Sequence, residues 1–335
     1  MRRLTKQVRA AGIWGTGSAV PEKVLTNADL EKMVDTSDEW ITTRTGIKER
    51  RIAAEGESTS DLAAAAGRQA LKAAGVEAED VDLIIVATVT PDMMFPATSC
   101  LVQMKLGASK AATFDLSAGC SGFVYALDVA ARCVASGGYD RVLVIGAEIL
   151  SRITDWTDRS TCVLFGDGAG AALVGPVSEG RGLLSSDLGA EGAQGHLLTL
   201  PAGGSLLPPS IETVEGRKHY ICMQGNDVFK FAVRIMEETT LTALRNCGLG
   251  PEDIDVFIPH QANIRIIDAA IKRLGIPKEK VLVNVDKYGN TSAASVPIAL
   301  NEALQADMIK DDDVVALVGF GAGLTWASAI LRWGR

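Results

Sequence analysis

Two hydrophobic patterns alternate along the 335 residues. In short runs such as Leu83-Ile-Ile-Val-Ala87 and Val314-Val-Ala-Leu-Val318 every position is apolar, the signature of strands buried on both faces. Between such runs lie longer stretches, 61–74 and 228–247, where apolar residues recur every three or four positions, the period of an amphipathic helix. This reading predicts strands at 83–90, 112–116, 142–147 and 171–174, then at 256–258, 281–283, 314–319 and 328–332. Alternation of strands with helices calls for crossover connections, so mainly parallel sheets covered by helices are expected.

The pattern repeats. Ala74-Gly-Val-Glu-Ala-Glu-Asp-Val-Asp-Leu-Ile-Ile85 aligns with Cys247-Gly-Leu-Gly-Pro-Glu-Asp-Ile-Asp-Val-Phe-Ile258, placing Gly75, Glu79, Asp80 and Asp82 on Gly248, Glu252, Asp253 and Asp255. In each copy a helix ends at a glycine suited to a left-handed cap, and an acidic turn leads into a strand. Duplication is the better account of that shared order. It divides the chain into α/β halves at 1–178 and 179–335, with the junction in the turn-rich Gly175-Pro-Val-Ser-Glu-Gly-Arg-Gly182. A site between two such halves is expected, walled by 26–51 and the glycine- and leucine-rich 188–209.

With 47% hydrophobic residues and abundant glycine, the chain has ample core for a globular protein. Its longest apolar runs fall far short of a membrane span, and Met1-Arg-Arg-Leu-Thr-Lys-Gln7 lacks the apolar core of a secretory signal, so a cytoplasmic protein is expected. The six cysteines show no Cys-x-x-Cys spacing, and the three histidines form no His-Glu-x-x-His, so neither a metal site nor a disulfide framework is expected. A net charge of −8 argues against nucleic acid as a partner.

Candidate chemistry centres on Cys120, in Asp115-Leu-Ser-Ala-Gly-Cys-Ser-Gly-Phe-Val124. A thiol where a strand turns into a helix meets unpaired amides and the positive end of the helix dipole, which favour thiolate over thiol. Gly119 and Gly122 permit the sharp turn. The other cysteines, 100, 133, 162, 222 and 247, read as small buried hydrophobes. His260 follows a strand directly and Asn290 sits between a glycine and a small-residue helix start. Each alone would be an ordinary structural histidine or turn residue, but together with Cys120 they form a nucleophile with two hydrogen-bond donors at strand-to-helix junctions. Thr36-Ser-Asp-Glu39 reads as a capping box opening a short helix that puts Trp40 and Arg44 on one face. That pair suits either a planar base or phosphate, or the covering of core by a surface tryptophan beside a solvated arginine.

These motifs resemble the thiolase-fold condensing enzymes, and among them the β-ketoacyl-acyl-carrier-protein synthase III family. The resemblance spans the whole chain through Thr36-Ser-Asp-Glu-Trp-Ile-Thr-Thr-Arg-Thr-Gly-Ile47, Ala118-Gly-Cys-Ser-Gly122, Phe165-Gly-Asp-Gly-Ala-Gly170, His260-Gln-Ala-Asn263, Tyr288-Gly-Asn-Thr-Ser292 and Gly319-Phe-Gly-Ala-Gly-Leu-Thr-Trp326. The glycine motifs lack dinucleotide-fingerprint spacing, which removes the support for a Rossmann dehydrogenase.

The resemblance implies an α/β thiolase-like fold, two duplicated halves packed as an αβαβα sandwich. It implies a decarboxylative Claisen condensation of an acyl-CoA starter with malonyl-acyl-carrier protein, initiating fatty-acid synthesis through an acyl-Cys120 intermediate, with no cofactor. His260 and Asn290 would hold the enolate, and the Cys120 and Gly321-Ala322 amides the tetrahedral oxyanion; Ala322 departs from the glycine of some members. Trp40 and Arg159 would stack on the CoA adenine, with Arg44, Gly225, Phe229, Ala262, Asn263 and Arg265 along the pantetheine route. Phe95 would cross to the partner's acyl pocket in a homodimer, and Leu150, Phe165 and Phe320 would line the pocket, positions that any core would also make apolar. A polyketide-priming ketosynthase or another acyltransferase shares the nucleophile and stays open, as does a non-catalytic protein of the same fold. An acidic enzyme meeting an acidic carrier needs a local basic face, for which Lys230, Arg234, Arg265, Lys272 and Arg273 are the candidates.

Overall fold

The computed structural model describes residues 8–335; the N-terminal residues 1–7, where no secretory signal is expected, lie outside them. The chain opens with β1 (Ala11–Ala19). An arm follows in which β2 (Val24–Thr26) pairs with β3 (Glu49–Arg51) around α1 (Asn27–Leu30) and α2 (Asp38–Thr45). Next come α3 (Thr59–Ala74), β4 (Leu83–Ala87), α4 (Thr98–Leu106), β5 (Ala112–Leu116), α5 (Gly122–Ala135), β6 (Val142–Glu148) and β7 (Gly168–Pro176). The remainder holds β8 (Gly182–Ala190), β9 (Leu198–Thr199), α6 (Ile211–Glu215), β10 (Cys222–Met223), α7 (Gly225–Asn246), β11 (Val256–Pro259), α8 (Ile264–Leu274), α9 (Val285–Tyr288), α10 (Ser295–Gln305), β12 (Val314–Gly321) and β13 (Thr325–Arg332).

Two sheets form, one in the order β1-β7-β6-β4-β5 and one in the order β11-β12-β13-β8. The apolar faces of α5 and α10 fill the space between them, where Phe123, Leu127, Val296 and Leu300 meet residues from both sheets. Helices α3 and α4 cover the outer face of the first sheet, and α7 and α8 that of the second. The result is a five-layer αβαβα sandwich. The all-apolar strand runs are explained by it, since β4, β6 and β12 have helices on both faces and are buried throughout.

The sequence repeat is a repeat of structure. Helices α3 and α7 are each followed by a left-handed glycine, Gly75 at φ 68° and Gly248 at φ 75°, and then by a single 3₁₀ turn. The paired aspartates do the same work: the Asp82 carboxylate accepts from the Arg141 amide at 2.8 Å and that of Asp255 from the Val314 amide at 2.9 Å. Each pins the start of the strand beside it.

Four expectations need correction. The sheets are mixed rather than mainly parallel: β4 runs parallel to β5 and β6, and β11 to β12, but β1–β7, β6–β7, β12–β13 and β13–β8 are antiparallel. Long antiparallel strands β1 and β8, glycine-interrupted and half-polar, carry too weak an apolar run to show in the sequence. Residues 281–283 are not a strand; only Val281 bridges to Phe257, because the Gln261 side chain takes the Leu282 carbonyl and the Asn284 amide. The cap of α2 is Ser37, one residue later than read, its hydroxyl accepting from the Trp40 amide at 3.1 Å. Finally, Cys100 and Cys222 are exposed rather than buried, and of the other four only Cys162 is fully buried.

Candidate active site

Cys120 occupies a one-turn 3₁₀ helix, Gly119–Ser121, between β5 and α5. Gly119 has φ 55°, and a Cβ there would lie 2.8 Å from the Ala322 amide nitrogen. From the other side, a Cβ on Gly321 would run into the Cys120 nitrogen. Only glycines let these two backbones approach so closely. The Ser121 hydroxyl donates to Thr325 Oγ1 (2.9 Å) and that of Thr325 faces the carbonyls of Ala118 (2.8 Å) and Ala322 (3.0 Å), lacing the cysteine turn to the loop after β12.

His260 lies just beyond β11, its amide donating to the Val318 carbonyl of β12 at 2.7 Å and its ring edge-on to Phe320 at 5.2 Å. Nδ1 is 2.5 Å from the buried Ser295 hydroxyl. When that hydroxyl donates, Nε2 carries the imidazole proton and is the donor left for other work. Burial holds His260 down to about 3, so the ring is neutral. Asn290 is fixed by a bridge to Phe165 and by its amide bond to the Leu164 carbonyl, 2.8 Å. The Ser292 amide donates to its Oδ1 at 2.9 Å, so Nδ2 is the group it presents as a donor.

Cys120, His260 and Asn290 line one cleft, together with Phe165, Gly225, Phe229, Ala262, Asn263, Phe320 and Gly321. A second cavity shares Cys120 and Phe165 and adds Leu150, Ile153, Ile221, Ser292 and Ala322. The thiol therefore stands where two cavities meet. Segment 188–209 supplies Leu198 to both and Leu200 to the second. Phe95 lines neither cavity; at 84% exposure it projects from the surface.

The expected low thiol pKa is overturned. Burial pushes Cys120 up to about 12, with the Glu148 carboxylate adding to the rise and Ser292 opposing it. Loss of hydration at the cavity junction is the main cause, and it favours the thiol.

Trp40 is half-buried against the core of the arm, with the guanidinium groups of Arg44 and Arg159 each 5.1 Å from its ring centroid. The packing reading of this tryptophan holds, and two guanidinium groups lie over its ring. Arg159 also reaches the Asp35 carbonyl at 2.8 Å, and the Asn263 amide donates to the Arg44 carbonyl at 3.0 Å, tying this cluster to the cleft mouth. Arg265 stacks over Phe229 at 5.7 Å. Three of the five proposed docking cations are neutralised locally: Lys230 by Asp227, Arg234 by Glu238 and Arg273 by Glu237. Among the described residues Arg265 and Lys272 make no ion pair.

Sequence reading missed Glu148, Ser292 and Ser295. A glutamate closing the otherwise apolar Val142-Leu-Val-Ile-Gly-Ala-Glu148 was the available signal, since such a residue is rarely buried without cause. The serines stand in a small-residue run where nothing distinguishes them.

A cysteine that shares one cleft with two donors and also faces a second, mainly apolar cavity, on this duplicated sandwich, defines a condensing acyltransferase of the thiolase fold. Family models for 3-oxoacyl-[acyl-carrier-protein] synthase III match residues 114–192, and for its C-terminal part residues 244–333. A β-ketoacyl-[acyl-carrier-protein] synthase III of Caldanaerobacter subterraneus is 62% identical over 97% of this chain and 98% of its own. The crystal structure of the Aquifex aeolicus 3-oxoacyl-[acyl-carrier-protein] synthase III superposes with a TM-score of 0.90 at 51% identity, covering 96% of this chain and 100% of its own. A priming β-ketosynthase of the R1128 polyketide pathway superposes with 0.92 at 37% identity, over 100% and 99% of the two chains. The chain belongs to the β-ketoacyl-acyl-carrier-protein synthase III family.

Proposed function

We propose that this enzyme condenses an acyl-CoA starter with malonyl-acyl-carrier protein, giving β-ketoacyl-acyl-carrier protein and CO2 at the start of fatty-acid synthesis. The carrying observation is the position of Cys120 at the meeting of two cavities, one lined by Gly225, Phe229, Ala262 and Asn263 beside His260 and Asn290, the other lined mainly by apolar side chains. The first suits a pantetheine arm and the second an acyl chain.

The Cys120 thiol loses its proton as its sulfur attacks the thioester carbonyl, and CoA leaves as the thiol. The oxyanion formed on the way faces the Cys120 and Gly321-Ala322 amides. Malonyl carrier then loses CO2, and the electron pair left on carbon is delocalised to an enolate oxygen held by His260 Nε2–H and Asn290 Nδ2–H. A neutral imidazole suits that role, because it donates without drawing the proton fully across. The carbon attacks the acyl thioester, and Cys120 is expelled and reprotonated. No step needs a cofactor. Trp40, Arg44 and Arg159 at the mouth suit an adenine and its phosphates.

Strand β5 is an open edge of the first sheet with Phe114 exposed, and Met94 and Phe95 beside it are 78% and 84% exposed. We infer a homodimer across this edge in which Phe95 reaches the partner's second cavity. No helix among the described residues is long and apolar enough to cross a membrane, which accords with a cytoplasmic enzyme. Rapid-quench assay of the two half-reactions tests the assignment: Cys120→Ala abolishes acyl transfer, while His260→Ala and Asn290→Ala each cut decarboxylation about 10²-fold or more and spare acyl transfer. Loss of acyl transfer in all three would refute these roles.

A further inference from the structure

Glu148 is fully buried at the end of β6 and makes no ion pair among the described residues. Its carboxylate accepts only from neutral groups. On one side these are the Thr88 hydroxyl (3.2 Å), the Val89 amide (3.1 Å), and the Thr90 amide (3.1 Å) and hydroxyl (2.6 Å). From the C-terminal half comes the Ser292 hydroxyl, donating to Oε1 at 3.0 Å. A carboxylate buried without a cation is expensive, and an apolar side chain would fill the space at less cost if packing were all the position required.

Ser292 itself is unusual. Its φ is 48°, in the left-handed region that residues with a Cβ avoid. In that conformation its amide reaches back to Asn290 Oδ1 at 2.9 Å, the bond that decides which end of the carboxamide serves as donor. The hydroxyl bond to Glu148 is what the side chain contributes to holding that conformation. Ser292 and Val89 also line the second cavity with Cys120, so one carboxylate braces both the donor turn and the cavity wall.

We propose that Glu148 is a positioning residue for the decarboxylation step: through Ser292 it fixes the Asn290 carboxamide with Nδ2 presented as donor. The proposal rests on the reading of Asn290 as an enolate donor. Its test is separate measurement of acyl transfer and malonyl-carrier decarboxylation in the full-length enzyme. Ser292→Gly permits the same φ and removes the side chain with its hydroxyl. It slows decarboxylation about 10-fold, a fraction of the loss from deleting a donor outright; acyl transfer, measured beside it, reads the separate contact of the same hydroxyl with the Cys120 thiol. In an Asn290→Ala background the same substitution adds no further loss, because the hydroxyl acts through Asn290. Glu148→Gln keeps an oxygen for Ser292 and retains more decarboxylation than Glu148→Ala.

Unchanged decarboxylation in Ser292→Gly overturns the proposal. So does a fall in decarboxylation that adds to the loss in Asn290→Ala, the result a merely structural role gives. Ser292→Gly, checked by thermal melting, decides the matter even where a Glu148 variant does not fold. Wild-type decarboxylation in Asn290→Ala would instead remove the enolate role of Asn290 and this inference with it, whereas loss there with none in Ser292→Gly removes this inference alone.

Discussion

Burial governs the protonation of the proposed catalytic groups. Cys120 is pushed up and His260 down, both chiefly by loss of hydration, so the resting pair is thiol and neutral imidazole rather than an ion pair. Glu148 moves the same way, up to about 7 from 4.5, because burial outweighs the hydrogen bonds that favour its charged form. The folded state therefore binds a proton that the unfolded state has released between about pH 4.5 and 7, and the stabilisation is lost as pH rises through that window. The raised value corresponds to on the order of 3 kcal/mol. Glu148→Gln lacks this dependence, so the stability advantage of wild type over the variant shrinks by roughly that amount between pH 4.5 and 8; denaturant melts at the two pH values measure it, and a constant difference would contradict the assigned burial. The His260 contribution runs the other way, falling as pH drops, but it is common to both proteins and cancels. At this scale Cys120, His260 and Asn290 were legible because strand-to-helix junctions carry chemistry. The direction of the thiol shift was not, because the helix end is visible in sequence whereas the desolvating walls come from segments distant along the chain, such as those of Phe165 and Phe320.

Among the elements, the all-apolar strands and the two long helices were placed correctly, with ends up to three residues off, because burial on both faces leaves an unmistakable run. Strands β1 and β8 were not, since glycines and half-exposed positions dilute theirs, and the antiparallel direction of β7 on β6 and of β13 on β12 leaves no mark in an apolar run. The end of β12 is the element on which the proposed acylation depends. A Cβ at position 321 would meet the Cys120 nitrogen and Cβ, a backbone contact that cannot be relieved by a rotamer change. Gly321→Ala is thus expected to fold and yet lose about 10²-fold or more in acyl transfer, comparable to losing an oxyanion donor, as read by single-turnover kinetics. Near-normal transfer would place the oxyanion elsewhere. The arm carrying α2 is anchored by the fully buried Arg50, which donates to Asn27 Oδ1 at 2.8 Å and the Val163 carbonyl at 2.7 Å. Nothing in the sequence distinguished this arginine from Arg51 beside it.

At the scale of the whole molecule, a duplicated α/β unit brings a nucleophile from one half against donors from the other, and the internal repeat makes that arrangement legible in the amino-acid sequence. The basic docking face was legible only as charge; the acids that neutralise Lys230, Arg234 and Arg273 lie one turn away or on a neighbouring segment. What remains is Arg265 with Lys272. Reversing both charges, Arg265→Glu with Lys272→Glu, raises KM for malonyl carrier several-fold at low salt and much less at about 0.15 M and above, with acyl transfer from CoA changed less; equal effects on both substrates would contradict docking there. The central claim is that Cys120 carries the acyl group between two substrates. Intact-protein mass spectrometry of wild type and Cys120→Ala, mixed with a panel of acyl-CoAs and then with malonyl carrier, tests it most directly. The account predicts an acyl adduct on wild type alone, discharged by malonyl carrier as β-ketoacyl carrier. An adduct that also forms on Cys120→Ala, or that malonyl carrier leaves in place, would contradict it.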